Sequence, residues 1–173
     1  MNGRYALGYN PAMHPFAVSW ELSRGRLVQE IQGLNQEQLT WRLHGKALSI
    51  AQMVVHVAGV EVSFASQLTG TPVPTEDELL LKVATEGSVN DNPFPFSDDQ
   101  LTPEFVFACL AKGKAAVEPL IVGPTPELLG REIKSALGPM ISGEGALARL
   151  AFHSAYHQGQ AYLIKTAPGF PAA

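Results

Sequence analysis

Residues 146–164, ALARLAFHSAYHQGQAYLI, carry the reading that decides the fold. At about 100° per residue, a helix sets Ala146, Leu150, His153, His157, Ala161 and Ile164 on one stripe. That stripe is apolar except for the two histidines at its middle, and imidazoles on a face that packs inward require partners. One solution is an i,i+4 pair hydrogen-bonded within the core. The other is a metal ion shared with a histidine from a different helix. The spacing is not the HExxH signature of a metalloprotease, because Ser154, Ala155 and Tyr156 fill the gap and leave no glutamate as general base.

Outward from this segment, punctuation divides the chain into four long helical patterns with one elaborate central connection, which predicts an all-α four-helix bundle with a long mid-chain crossover. The first pattern runs from about Pro11 to Gly33 with Val18, Leu22, Leu27, Ile31 and Leu34 at helical spacing, and Asn35 caps a short turn over Gln36 to Trp41. Ser49 and Gln52 form a capping box for the second helix, whose stripe is Ile50, Met53, Val54, Val57, Phe64 and Leu68 and which ends before Gly70. A third begins at Thr102 with Pro103 in its first turn and reaches about Val122, with a kink expected at Pro119. Thr125 to Pro139 is a broken connector; Ser142 then caps the fourth helix, which lasts to about Lys165. No strand-like alternation persists anywhere.

The connection from Thr69 to Gln100 brackets a short helix with Thr75 and Glu78 as its capping box and Leu79 to Leu81 as its apolar side. A connection this long either crosses the bundle or covers a site as a lid.

Composition narrows the function classes. The 173 residues, 46% hydrophobic and 16% charged, read as a single domain spanning 1–173 with material for a sizeable core. A net charge of -4 and 12 scattered Lys and Arg residues argue against nucleic acid as a partner. No apolar run approaches the roughly 20 residues that span a bilayer, and Met1 to Asn10 lacks a signal-peptide core, so a cytoplasmic protein without membrane partners is expected. The single cysteine, Cys109, lies in the apolar pattern Val106, Leu110, Val117, Leu120, which suits packing better than nucleophilic chemistry. Paired Glu-x-x-His motifs and glycine-rich phosphate cradles are absent.

A third metal ligand is sought among His14, His44 and His56. His56 lies inside the second helix, roughly 60° from the centre of its stripe, whereas His14 precedes a proline at a helix start and His44 sits in a polar loop. His56, His153 and His157 would form a facial site with positions open for water or substrate, and zinc, nickel or ferrous iron would each accept it. Gln52, one turn before His56, and Gln160, near the sector of His153 and His157, either hydrogen-bond a ligand ring or substrate, or serve as a cap and a solvated edge. Glu61, about 140° around its helix from His56, is poorly placed as a base. Tyr156 and Tyr162 are expected to point away from the histidines.

Two motifs carry a resemblance. Ser49-Ile-Ala-Gln-Met-Val-Val-His56 and His153-Ser-Ala-Tyr-His157-Gln-Gly-Gln160 resemble the second-helix and final-helix motifs of the DinB/YfiT-like family of four-helix-bundle metalloproteins. The likeness extends over the whole chain and departs at Gln158, where that family often has arginine. It implies a three-histidine metal site at His56, His153 and His157 and a homodimer. Relatives in that family include mycothiol-dependent maleylpyruvate isomerase and bacillithiol transferases, alongside metal-dependent hydrolases. The expected activity is therefore low-molecular-weight-thiol transfer to a small-molecule substrate. Hydrolysis is the alternative, and a non-catalytic metal-binding or stress-response module the rival from another class. An open site can lower the pKa of bound water toward about 7 or hold a cofactor thiol as thiolate, and the lack of a well-placed cysteine favours a thiol that arrives with a cofactor. Phe152, Tyr156 and Leu163, roughly 100° or more from the histidine face, suit either a second chain or coverage by the connector.

Overall fold

The computed structural model describes residues 13–172. Four long helices build the bundle: α1 (Pro15–Ile31), α3 (Ile50–Thr69), α5 (Pro103–Val122) and α7 (Gly143–Lys165). Between them lie α2 (Gln36–Thr40), α4 (Glu78–Lys82), α6 (Pro126–Gly130) and a small antiparallel hairpin of β1 (Glu132–Lys134) and β2 (Met140–Ser142). The architecture is all-α apart from that hairpin. Its three-residue strands, with only Ile133 buried, are too short to produce an alternation visible in the sequence.

Side-chain caps set most helix starts. Ser49 Oγ accepts the Gln52 N–H while Gln52 Oε1 accepts the Ser49 N–H, and Gly70 at φ 72° ends α3 in the left-handed conformation. Thr102 caps α5, which continues through Pro119 to Val122, and Ser142 caps α7. His14 Nδ1 accepts the Phe16 N–H and caps α1 at Pro15; residues 1–12, and with them the expected start near Pro11, lie outside the described residues. The capping box expected at Thr75 and Glu78 does not form, because Thr75 enters a 3-10 turn without a capping side-chain bond.

Packing pairs α3 with α5, α1 with α7, and α3 with α7. Helix α1 turns Ala17, Trp20, Ser23, Arg24, Leu27 and Ile31 inward, whereas Val18 and Leu22, expected in the core, are exposed. The cause lies on α3: Trp20 Nε1 donates to Glu61 Oε1 at 2.9 Å, and Arg24 Nη2 lies 3.5 Å from Glu61 Oε2. A buried carboxylate needs donors more than the core needs two further aliphatic side chains. Helix α3 is buried around nearly its whole circumference, not along one stripe, since Val55, Ala58 and Val62 are covered as well.

The long connection crosses from α3 to α5 and docks on α3 through Leu80, Val83 and Ala84, while Leu79 is exposed. Gly59 permits that approach, because a Cβ there would collide with the Val83 side chain and the Leu80 carbonyl. No helix among the described residues is long and apolar enough to cross a membrane.

Candidate metal centre

His56 stands at mid-length of α3, and His153 and His157 occupy successive turns of α7. Because the two helices pack together, the three rings converge: centroids lie 4.9 Å apart for His56 and His153, 5.3 Å for His56 and His157, and 4.7 Å for His153 and His157. One nitrogen of each ring falls within 4.8 Å of the other two.

Hydrogen bonds decide which nitrogen is free. His56 Nδ1 lies 2.7 Å from the Val83 carbonyl oxygen, which can only accept, so Nδ1 carries the proton and Nε2 keeps its lone pair. His157 Nδ1 likewise donates to Gln160 Oε1 at 2.7 Å. His157 Nε2 then faces His153 Nε2 at 3.1 Å, and His153 Nδ1 is buried with no partner. A neutral His153 has one N–H. If Nε2 carries the proton, it donates to His157 and leaves a buried Nδ1 lone pair unmet. With the proton on Nδ1, two lone pairs oppose each other.

A divalent ion would take up both lone pairs of the second arrangement and leave the His153 Nδ1–H as its one unmet donor. Two imidazole nitrogens on one ion at 2.0–2.1 Å are separated by roughly 2.8–3.4 Å, between right-angle and tetrahedral geometry. For the His153 and His157 pair the 3.1 Å separation falls in that range, and the donor set suits zinc, nickel or ferrous iron. Charge state is favourable too. Burial holds His56 below the usual histidine range. Burial, then the charges of His157 and His56, lowers His153 to about 2. His157 falls to about 4 through burial and His56, with the Gln160 contact opposing. All three rings are therefore neutral at neutral pH, as ligation requires.

The rings line an open cleft of about 1340 Å³, walled by α3, α7, the loop at 43–48, connector residues 84–89 and the hairpin turn. No Asp, Glu or Cys lines it among the described residues. Glu61 is in the Trp20 and Arg24 network instead, and Cys109 is buried on α5 with its thiol pushed up to about 11 by burial. His14 caps α1. His44, exposed in its turn, also lines the cleft.

Gln160 and Gln52 each take one of their two expected roles, and Tyr156 departs from expectation. Gln160 holds His157, whereas Gln52 has its side-chain oxygen in the Ser49 cap and does not line the cleft. Tyr156 does not point away from the histidines: its ring meets His157 edge-on at a centroid distance of 5.0 Å and lines the cleft. A large ring on the adjacent residue folds across the helix surface to gain that edge-to-face contact. Tyr162 is exposed and outside the lining. Phe152, Tyr156 and Leu163 are all exposed, and all three form part of the cleft rim. Val83 has no sequence signal as a ring partner, since only its carbonyl takes part. Arg149, one turn before His153, carries such a signal, and it lines the cleft.

Gly59 acts on the site through Val83. Gly59→Val is expected to push the connector away, remove the carbonyl from His56 Nδ1 and weaken ion binding about 10-fold or more, as loss of a ligand's outer partner does. Competition against a chromophoric chelator measures this; unchanged affinity would mean that Val83 does not orient His56.

A comparison with curated proteins returns no significant match. The sequence pattern of the DinB superfamily, however, matches residues 19–161, a span that holds α3, the crossover and every histidine of the cluster. That match covers most of the helical bundle described above, and the chain belongs to the DinB superfamily.

Proposed function

We propose that this protein is a metal-dependent enzyme that joins a low-molecular-weight thiol to an electrophilic small molecule, with His56, His153 and His157 as the ion's ligands. One observation carries the reading: three neutral imidazoles open onto a cleft that contains neither a carboxylate base nor a cysteine among its described lining residues. Hydrolysis at an open metal site normally enlists such a base, so its absence favours a nucleophile brought in by a second bound molecule. A volume of about 1340 Å³ exceeds the roughly 300–1,000 Å³ of ordinary ligand pockets and leaves room for both reactants. A divalent ion held there would supply Lewis-acid chemistry that keeps a coordinated thiol deprotonated near neutral pH.

The chain's own residues do the positioning. Val83 and Gln160 fix the tautomers of His56 and His157, and Phe152 and Tyr156 add aromatic surface at the cleft rim. In the net reaction the thiol proton leaves to solvent, and sulfur bonds to the electrophilic carbon. That carbon then either takes up a proton at the adjacent atom or expels its leaving group as an anion.

Cobalt substitution tests this directly. Titrating a simple thiol into the cobalt-loaded protein is expected to produce a near-ultraviolet sulfur-to-cobalt charge-transfer band, and thiol consumption with an electrophile should require the ion. An unchanged spectrum together with metal-dependent ester cleavage would overturn the thiol reading in favour of hydrolysis.

A further inference from the structure

Charge is divided unevenly between the chain and its cleft. The sequence has 16 acidic and 12 basic side chains, yet among the described residues the lining holds Arg149 and Lys134 and no Asp or Glu. Neither cation is paired elsewhere: the ion pairs of the described residues use Arg24, Arg42, Lys112, Lys114 and Lys165. Arg149 is half-buried, and its protein contact is Nη1 donating to Ser135 Oγ. Ser135 is itself buried and is held in the hairpin turn, where its N–H donates to the Pro139 carbonyl and its Oγ also accepts the Leu137 N–H at 3.2 Å. A guanidinium has five N–H donors in a planar fork, so this bond orients it and leaves the others for a ligand.

Position along α7 adds direction. Arg149, His153 and His157 follow at four-residue intervals, about 6 Å per step, and Leu163 and Ile164 lie beyond them in the same lining. The cleft therefore runs from cations, past the histidines, to hydrocarbon. Unbalanced positive charge in a partly enclosed site draws an anion, and a divalent ion at the histidines would strengthen that field.

We propose that Arg149 and Lys134 form an anion subsite one helical turn from the histidines, and that it takes the carboxylate of a small organic acid whose other end reaches the metal centre. The planar fork matches a carboxylate edge, and Lys134 adds a second positive charge from the hairpin. The location of the far end rests on the metal-dependent reading above; the carboxylate contact itself does not.

The test compares 6-mercaptohexanoate with 6-mercaptohexan-1-ol on the cobalt-loaded protein, and hexanoate on the metal-free protein. The acid is expected to bind about tenfold or more tightly than the alcohol, with added salt weakening only the acid. Arg149→Gln should abolish that preference while leaving the alcohol's Kd unchanged. Lys134→Gln, at a residue whose ammonium has no hydrogen-bond or ion-pair partner among the described residues, should reduce it in part. In the metal-free protein, hexanoate binding should be weak and lost in Arg149→Gln. Equal affinities for acid and alcohol in the parent, or a preference that survives both substitutions, would overturn the subsite. If neither thiol perturbs the cobalt spectrum, the metal-dependent reading fails, and loss of hexanoate binding in Arg149→Gln still supports the subsite.

Discussion

His153→Ala is expected to lower affinity for a divalent ion by at least about two orders of magnitude while leaving the helix content of the metal-free protein nearly unchanged. Loss of an outer partner alone weakens metal sites about 10–100-fold, and removing one of three donors does more. Stability should survive because the ring contributes little to the metal-free fold. Its Nδ1 is buried without a partner, and its other nitrogen faces only His157. His14→Gln and His44→Gln serve as controls, since one residue caps α1 and the other lies exposed in a turn. Isothermal titration with zinc or nickel measures all three, and a triple His56, His153, His157→Ala variant that kept the parent's metal content would refute the ligand assignment. The pH dependence has a definite sign. With His157 near 4 and His153 near 2, the folded chain keeps these rings neutral well below 6.5, so ion binding should persist toward pH ~5. Between about 6.5 and 4 the unfolded chain binds more protons than the folded one, so the metal-free fold loses stability as pH drops through that window.

The candidate site was legible because its residues obey one local period. His153 and His157 interrupt an apolar stripe, the Ser49 and Gln52 box dates the start of α3, and His56 then falls on an inward turn. What remained hidden depends on distant partners. Val18 and Leu22 read as part of the core stripe of α1; only Glu61, 41 residues from Trp20, turns Trp20 and Arg24 inward instead. The Val83 carbonyl belongs to a backbone whose docking is decided by Gly59, and no side-chain pattern announces it. Helical angle alone places Tyr156 away from the histidines, because it ignores the reach of a large ring. Thr75 and Glu78 have a cap's spacing, but a 3-10 turn occupies Thr75–Asp77 and α4 begins only at Glu78. In α1 the local signal is genuine and a tertiary contact outweighs it.

Arg24→Met is expected to destabilise the fold by about 3–5 kcal/mol at pH 8 and by distinctly less at pH 5. Arg24 and Glu61 have side-chain exposures of 7% and 1%, so each is the other's main charge compensation. Burial already acts against both ionised forms, lowering Arg24 and pushing Glu61 up to about 7 against the pull of Arg24 and the Trp20 hydrogen bond. Without the guanidinium, Glu61 rises further and must enter the fold protonated. A carboxyl whose folded pKa exceeds its unfolded value of 4.5 stabilises the fold fully below 4.5, and that stabilisation is lost as pH climbs through the folded value. The deficit of Arg24→Met should therefore grow between pH 5 and pH 8. Adding Glu61→Gln should recover much of the loss and remove its pH dependence, because a neutral amide oxygen still accepts the Trp20 indole N–H. Glu61 cannot move aside on the α5 flank, where even a Cβ on Gly113 would strike its Oε2. Denaturant unfolding at the two pH values measures the effect. An equal loss at both would mean that the unpaired carboxylate stays ionised in the core, and unchanged metal affinity in the same variants would separate this network from the histidine cleft.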